Sequence, residues 1–143
     1  MSVDPKHAKT ELQKAGVEIY RARSDEIQIA ERIRLHLMDS GVRLVFGPPM
    51  RVAFTVRSQR SDFPAMHGSE LIERARAKLG PEAAERGYAE TRAESVEVRD
   101  PMDAARILDV WHEVTYEKPV PALADALDEV KWILSVERFL GRV

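Results

Sequence analysis

The chain has 143 residues, of which 44% are hydrophobic and 32% are charged, and it contains no cysteine. This composition is typical of one globular domain, and it excludes disulfide scaffolds, thiol catalysis and thiolate metal sites. No apolar run approaches the ~20 residues of a membrane helix, and the first residues lack the apolar segment of a secretion signal. We therefore expect a single cytoplasmic domain, residues 1–143, with no membrane partner.

Charge is unevenly distributed, although the net charge is only −2. Residues 21–60 contain eight arginines and four acids, whereas residues 61–143 contain seventeen acids and eleven basic residues. Arginine suits carboxylate or phosphate groups because its guanidinium is a planar fork. A nucleic-acid-binding domain usually has a stronger basic excess, so the distribution favours an ordinary solvated surface.

The N-terminal segment predicts a mobile start, a short helix and a strand. Residues 1–9 are polar, and we expect them to be mobile. Thr10 can cap a helical turn that Gly16 ends. The alternation of apolar and polar residues from Val17 to Arg23 then predicts the first strand.

Residues 24–40 predict a long helix. Ser24 followed by two acids is typical of a helix start, and Gly41 is placed to end the helix in the left-handed conformation. The apolar residues recur at nearly helical spacing, which gives a stripe for burial. The stripe consists of Ile27, Ala30, Ile33 and Leu37, widened by Ile29 and Met38.

The next segments complete a βαββαβ order over residues 17–99. Residues 42–46 and 50–57 alternate as strands around a Gly47-Pro48-Pro49 turn. Ser69 caps a helix over residues 70–79, and residues 93–99 alternate again. This order is that of the ferredoxin-like fold, a four-stranded antiparallel sheet backed by two helices. The expected fold class is therefore α+β with a ferredoxin-like core.

Residues 100–143 predict two additional C-terminal helices. Asp100-Pro101 is typical of a helix start, and a stripe of apolar residues follows. That stripe is Ala104, Ile107, Leu108, Trp111 and Val114. The last helix, residues 122–140, is apolar on nearly all sides near its end, so we expect another surface to cover it.

No motif in the chain points to catalysis, a metal or a cofactor. The four histidines include no pair at the i, i+4 spacing of metal ligands on a helix, and the chain lacks HExxH, GxSxG, P-loop and GxGxxG patterns. His67 is the histidine best placed for chemistry, since it lies in a predicted loop just before a helix. We expect no catalytic residue, no metal site and no cofactor.

The open face of the predicted sheet raises two further hypotheses. RNA-recognition domains of the same βαββαβ order stack bases on aromatic residues of this face. Here Tyr20 is one such aromatic residue, but the remaining signature is missing, so nucleic acid is not the expected partner. Alternatively Arg51 and Arg57 could hold an anionic ligand on that face, with Tyr20 and His67 nearby. Coverage of the face by the C-terminal helices is the simpler interpretation.

These observations favour a small non-catalytic binding or regulatory protein that acts through protein–protein contacts or self-association, such as a homodimer. The expected interface residues are the large apolar side chains near the chain end, Trp132, Ile133, Val136, Phe139 and Leu140. The alternatives are a ligand-binding sensor or small enzyme with an anion pocket on the open face, and an RNA-binding protein. No family is recognised from the motifs.

Overall fold

The computed structural model describes residues 3–141, which form three α-helices and seven strands. The helices are α1 (Pro5–Lys14), α2 (Gly68–Glu85) and α3 (Leu123–Ser135). The strands are β1 (Ile19–Ala22), β2 (Glu26–Ile33), β3 (His36–Val45), β4 (Arg51–Gln59), β5 (Ala89–Asp100), β6 (Asp103–Pro119) and β7 (Phe139–Leu140). A short 3-10 helix, Arg60–Asp62, follows β4.

The α+β class is confirmed, but the ferredoxin-like prediction is wrong. The sheet has seven strands in the order β1-β2-β3-β4-β6-β5, and β7 pairs with β4. A ferredoxin-like sheet has four strands and places a helix between its first two strands. Here β1, β2, β3 and β4 follow one another along the chain with no helix between them. The β1–β2, β2–β3 and β3–β4 pairs are antiparallel, whereas β7 runs parallel to β4.

The predicted helix over residues 24–40 is instead the hairpin of β2 and β3. A bulge explains why its apolar spacing resembles a helix. The strand register shifts between Ile29 and Ala30, and both of these neighbouring residues are buried together with Ile27. A bulge breaks the two-residue alternation of a strand. The resulting burial of residues 27, 29 and 30 matches part of the stripe of apolar residues on a helix.

The bulge also explains Gly41, which was expected to end a helix. Ile29 pairs with Val42 and Ala30 pairs with Asp39, so Ser40 and Gly41 are extra residues on β3. Gly41 has a φ of 78°, a left-handed conformation that glycine adopts without steric cost. The Ser40 hydroxyl holds the bulge, since it donates to the Ile29 carbonyl at 2.6 Å and accepts from the Val42 amide at 3.1 Å.

The first of the two predicted C-terminal helices is also wrong, because residues 103–119 form β6. The expected stripe is not a buried surface: Ile107 and Leu108 are exposed, whereas Val114 is fully buried. The segment is rich in β-branched and aromatic residues, which fit the pleated surface of a strand. The second predicted helix is confirmed as α3, although it ends at Ser135 rather than residue 140.

Most of the remaining elements agree with the sequence pattern, but the first helix begins earlier than expected. The Gly47-Pro48-Pro49 turn separates β3 from β4, and the alternating Val52, Phe54 and Val56 are all fully buried. The helix predicted over residues 70–79 is part of α2, which begins at Gly68 and continues through Pro81. The strand predicted over residues 93–99 is part of β5. At the N-terminus, residues 5–9 belong to α1, so the helix begins before Thr10.

The described residues divide into two compact units. Unit 1 consists of residues 3–54 and 117–137, and unit 2 consists of residues 55–116 and 138–141. In unit 1, α1, α3, the strands and two residues beside them supply the buried apolar side chains. These are Ala8, Leu12, Val17, Ile27, Ile29, Ala30, Val42, Leu44, Val52, Ala53, Phe54, Val120, Ala126, Val130 and Ile133.

In unit 2, α2 supplies half of the buried apolar residues. The buried set is Val56, Leu71, Ala75, Leu79, Ala83, Tyr88, Val114 and Tyr116. The four from α2 are spaced at intervals of four residues, so they form one stripe along the helix. Glycines let this helix approach its neighbours closely. A Cβ at Gly80 would lie 3.2 Å from the Tyr116 hydroxyl.

Loss of the side-chain hydroxyl is expected to change the free energy of unfolding in opposite directions at two serines. Ser58 is fully buried, and its hydroxyl has no hydrogen-bond partner within residues 3–141. Ser58→Ala removes an unsatisfied polar group, so we expect the free energy of unfolding to rise by up to about 1 kcal/mol. Ser40→Ala removes the two hydrogen bonds that hold the bulge, so we expect the free energy of unfolding to fall by about 1–2 kcal/mol. Urea denaturation monitored by circular dichroism measures both changes. Destabilisation by Ser58→Ala would contradict the assignment of an unsatisfied hydroxyl.

Candidate functional site

The buried histidine of unit 2 is His112, on β6. Its side chain is 6% exposed, and its Nδ1 lies 2.7 Å from the hydroxyl of Ser95 on β5. The imidazole also packs against the first residue of α2, because a Cβ at Gly68 would lie only 2.7 Å from its Cε1. A Ser–His hydrogen bond is one element of nucleophilic catalysis, but a second partner that orients the imidazole completes such a site. No hydrogen bond recorded for His112 within residues 3–141 supplies one.

Charges near His112 come from the segment between β4 and α2 and from β6 itself. Asp109 accepts hydrogen bonds from the Ser61 amide at 3.1 Å and the Ser61 hydroxyl at 2.6 Å. Burial raises the pKa of Asp109, but these bonds, the Val110 amide and the charge of Arg60 together lower it below its usual 3.8. Burial, assisted by Arg60, lowers the pKa of His112 below its usual 6.5. His112 is therefore neutral in the folded protein at pH 7.

This lowered pKa predicts how stability depends on pH. As the pH falls below 6.5, the unfolded chain binds a proton at His112 before the folded protein does. We therefore expect the free energy of unfolding to decrease between that pH and the lower pKa of the folded state. The contribution of Asp109 has the same sign but is lost at lower pH, below 3.8. Urea denaturation repeated across pH measures both decreases. In His112→Gln, the decrease in the free energy of unfolding over the range assigned to His112 should be smaller than in the wild type. An unchanged profile would contradict the prediction.

The two arginines predicted to hold an anion are each paired with a glutamate. In unit 1, Arg51 Nε lies 2.8 Å from Glu117 Oε1. In unit 2, Arg57 Nε donates to Glu113 Oε2 at 2.7 Å, and its guanidinium lies 4.0 Å from the ring centroid of Trp111. An incoming anion would therefore compete with a carboxylate at both positions.

The structure places the other two predicted ligand residues at exposed positions. Tyr20 lies on β1 in unit 1 and is 45% exposed. His67 is the residue before the first turn of α2 in unit 2, and its carbonyl accepts the amides of Glu70 and Leu71. The His67 side chain makes no capping hydrogen bond to α2.

The predicted interface residues fall into two groups. In unit 1, Ile133 is fully buried in the core, Trp132 meets Phe54 edge to face at 6.0 Å, and Val136 is half-buried just after α3. In unit 2, Phe139 and Leu140 form β7, which pairs with Arg57 and Ser58 of β4. Phe139 is the most exposed of the five residues, at 37%. The interface itself stays a prediction.

A basic cavity lies beside the start of α1 in unit 1. Its volume is about 400 Å³, and its lining consists of Asp4, Pro5, Lys6, Lys9, Ala22, Arg23 and Ser24. The carboxylate of Asp4 caps the helix by accepting the Lys6 amide at 3.0 Å. Within residues 3–141, none of the three cationic side chains forms an ion pair. The cavity therefore has a positive local potential.

The strongest unexplained surface feature is a pair of apolar hairpin ends. We name residues 31–39, the end of the β2–β3 hairpin, arm 1, and residues 96–108, the end of the β5–β6 hairpin, arm 2. Nine large hydrophobic side chains are exposed in the described part of the chain, and seven of them lie in these arms. They are Ile33, Leu35, Leu37 and Met38 in arm 1, and Met102, Ile107 and Leu108 in arm 2.

Arm 1 in unit 1 is a two-stranded ribbon, and among residues 3–141 no further strand pairs with its outer edges. β1 pairs with residues 27–29 of β2, and β4 pairs with residues 42–45 of β3. Within the arm, Glu31 pairs with Met38, Arg32 with Leu37 and Ile33 with His36. Such ribbons are marginally stable by themselves in water. Leu35, at the turn, is 90% exposed.

The sequence did contain a signal for arm 1. In Ile33-Arg34-Leu35-His36-Leu37 the apolar residues alternate strictly, which is the pattern of a strand rather than a helix. Their exposure, by contrast, has no sequence signal, because an apolar strand residue is more often buried.

Comparisons with models of protein families, with curated proteins and with solved structures found no match. Across residues 3–141, no three His, Asp or Glu side chains are grouped so that they could hold a metal ion. Among the same residues, no helix is long and apolar enough to cross a membrane.

Proposed function

We propose that this protein is a small non-catalytic binding protein that acts through protein–protein contacts, with arm 1 as its principal contact surface. The observation that carries the proposal is the concentration of exposed large apolar side chains in arm 1. Exposed apolar clusters of this kind mark interaction surfaces, because water contact with them is unfavourable. The composition, without cysteine, suits the cytoplasm as the proposed compartment.

The backbone of arm 1 supports the same proposal. Its two strands pair with each other and extend past the residues that pair with β1 and β4. An open strand edge offers amides and carbonyls to a further strand, and natural proteins usually protect such edges. A partner would cover apolar side chains and satisfy backbone groups at the same time.

The open-face anion pocket receives less support. Arg51 and Arg57 already bind Glu117 and Glu113 at 2.8 and 2.7 Å. The Arg51 and Arg57 side chains are 36% and 33% exposed. A ligand would have to displace a carboxylate that the protein itself supplies. Cross-strand ion pairs of this kind fit a structural role.

Site-specific photocrosslinking in cells tests the proposal. A photoreactive amino acid at Leu35 should crosslink to a protein, because this side chain is the most exposed apolar residue of arm 1. The matched control is the same amino acid at Asp128, an exposed polar position of α3 in the same unit. Equal crosslinking at both positions, or none at Leu35, would contradict arm 1 as a contact surface. A crosslink at position 139 instead would favour the chain-end interface.

A further inference from the structure

The basic cavity beside α1 is a second candidate binding site, and its residues are different from those of arm 1. Its volume of about 400 Å³ lies within the range of small-molecule pockets, about 300–1,000 Å³. The lining comes from two parts of unit 1, namely the start of α1 with its cap and the end of β1 with the turn that follows it. The cavity is therefore a place where two elements meet rather than a feature of one helix.

Both walls of the basic cavity have a fixed backbone. On one wall, α1 is anchored by Ala8 and Leu12, which are fully buried. On the other wall, the Arg23 amide donates to the Glu26 carbonyl at 2.8 Å and closes the turn between β1 and β2. A ligand would therefore have to order only long side chains, which reduces the entropic cost of binding.

The lining carries more positive than negative charge. Lys6 and Lys9 lie three residues apart on α1, and Arg23 joins them from the turn after β1. Within residues 3–141, none of these three cations forms an ion pair. Three cations and the carboxylate of Asp4 give the lining a formal net charge of +2. Like charges held this close repel one another, so an anion bound among them would relieve the repulsion.

The charge of the lining matches that of a phosphate monoester. Such a group carries about −1.5 to −2 at pH 7 and offers three acceptor oxygens. Arg23 can bind two of these oxygens with its planar fork, while the lysines act as point charges. The Lys6 amide already donates to Asp4, so cationic side chains rather than the end of the helix would hold the anion.

Asp4 favours an ester over inorganic phosphate. Its Oδ1 accepts the Lys6 amide at 3.0 Å, and within residues 3–141 this carboxylate makes no other hydrogen bond. The second oxygen, Oδ2, can accept a hydroxyl group of a ligand. Pro5 and Ala22 add apolar lining for a carbon skeleton. We propose that the basic cavity binds the phosphate monoester of a small hydroxylated compound.

NMR titration of the isotope-labelled protein in a phosphate-free buffer tests the proposal, with glucose 6-phosphate, glucose and inorganic phosphate as probes. Glucose 6-phosphate should shift the amide signals of the lining residues, with a Kd of about 0.1–1 mM at low salt. Inorganic phosphate should bind at least about threefold more weakly, because it lacks the contact of a ligand hydroxyl with Asp4. Glucose should not bind, because it lacks the charge.

Three variants locate the binding. Arg23→Gln should weaken the binding of glucose 6-phosphate at least about tenfold, since it removes the charged fork. The matched control is Arg34→Gln, which changes an exposed arginine of the same unit outside the cavity and should leave the affinity unchanged. Asp4→Asn keeps an oxygen that caps α1 but removes the second acceptor, so it should reduce the preference for glucose 6-phosphate over inorganic phosphate. Circular dichroism checks that each variant is folded.

Equal weakening by Arg23→Gln and Arg34→Gln would show only general attraction of anions and would overturn the proposal. The proposal is also wrong if no signal shifts up to about 10 mM, well above the ~1 mM range of weak specific affinity, or if the shifts lie outside the lining. Inorganic phosphate that binds as tightly as glucose 6-phosphate would reject an ester as the ligand. None of these outcomes bears on arm 1, which the crosslink at Leu35 tests separately.

Discussion

Phe54→Ala is expected to lower the free energy of unfolding by about 3–5 kcal/mol, the range for removing a large aromatic side chain from a packed core. Phe54 is fully buried on β4 in unit 1. Its ring meets Trp132 edge to face, with centroids 6.0 Å apart and planes at 83°. Truncation leaves a cavity and also removes this aromatic contact, which contributes about 0.5–1.5 kcal/mol in comparable pairs.

Urea denaturation followed by circular dichroism measures the loss. Phe54→Leu is a useful intermediate, because it keeps an apolar side chain but removes the ring, and about 1–2 kcal/mol is expected for it. The matched control is Phe139→Ala, since Phe139 is 37% exposed, and it should cost less than about 1 kcal/mol. Equal losses at positions 54 and 139 would show that Phe54 is not a core residue.

The second large effect is expected at Gly68, where α2 begins in unit 2. A Cβ there would lie 2.7 Å from His112 Cε1 and 3.1 Å from its Nδ1. The imidazole is buried and held by Ser95, so it cannot turn away without losing a hydrogen bond. Gly68→Ala should therefore lower the free energy of unfolding by about 1–3 kcal/mol, as overpacking does elsewhere.

A double-mutant cycle separates this clash from an effect of alanine on the helix. In a His112→Ser background the added methyl group has space, so Gly68→Ala should cost less than about 0.5 kcal/mol there. Gly80→Ala is the comparison on the same helix, where the Cβ would meet the Tyr116 hydroxyl at the milder distance of 3.2 Å. A full cost that persists in the His112→Ser background would contradict the steric explanation.

The sequence predicted strands where alternation and turn residues agree. The Gly47-Pro48-Pro49 turn and the alternating residues around it were sufficient to place β4 and the end of β3. The helix predicted over residues 24–40 is wrong, because a bulge changed the apparent spacing of the apolar residues. The adjacent burial of Ile29 and Ala30 at a bulge is a tertiary feature, and spacing alone does not distinguish it from a helical stripe.

Ion pairs and side-chain exposure were less predictable from the sequence than the helices and strands. The partners of Arg51 and Arg57 are 66 and 56 residues away in the sequence, so no local pattern indicated that these charges were neutralised. Ile33, Leu37 and Met38 of arm 1 were assigned to a buried stripe, since pattern analysis assigns regularly spaced apolar residues to the interior by default. In the structure, Ile33 is 53% exposed and Met38 is 47% exposed instead.

The short strand β7 has a consequence for how the chain tolerates trimming. The β3 register on β4 ends at Phe54, and β7 pairs with β4 further along, at Arg57 and Ser58. The Arg57 amide donates to the Arg138 carbonyl at 2.9 Å. Removal of β7 would leave Arg57 and Ser58 of β4 without this partner strand. The exposed edge of β4 would then become a template for fibril-like strand addition.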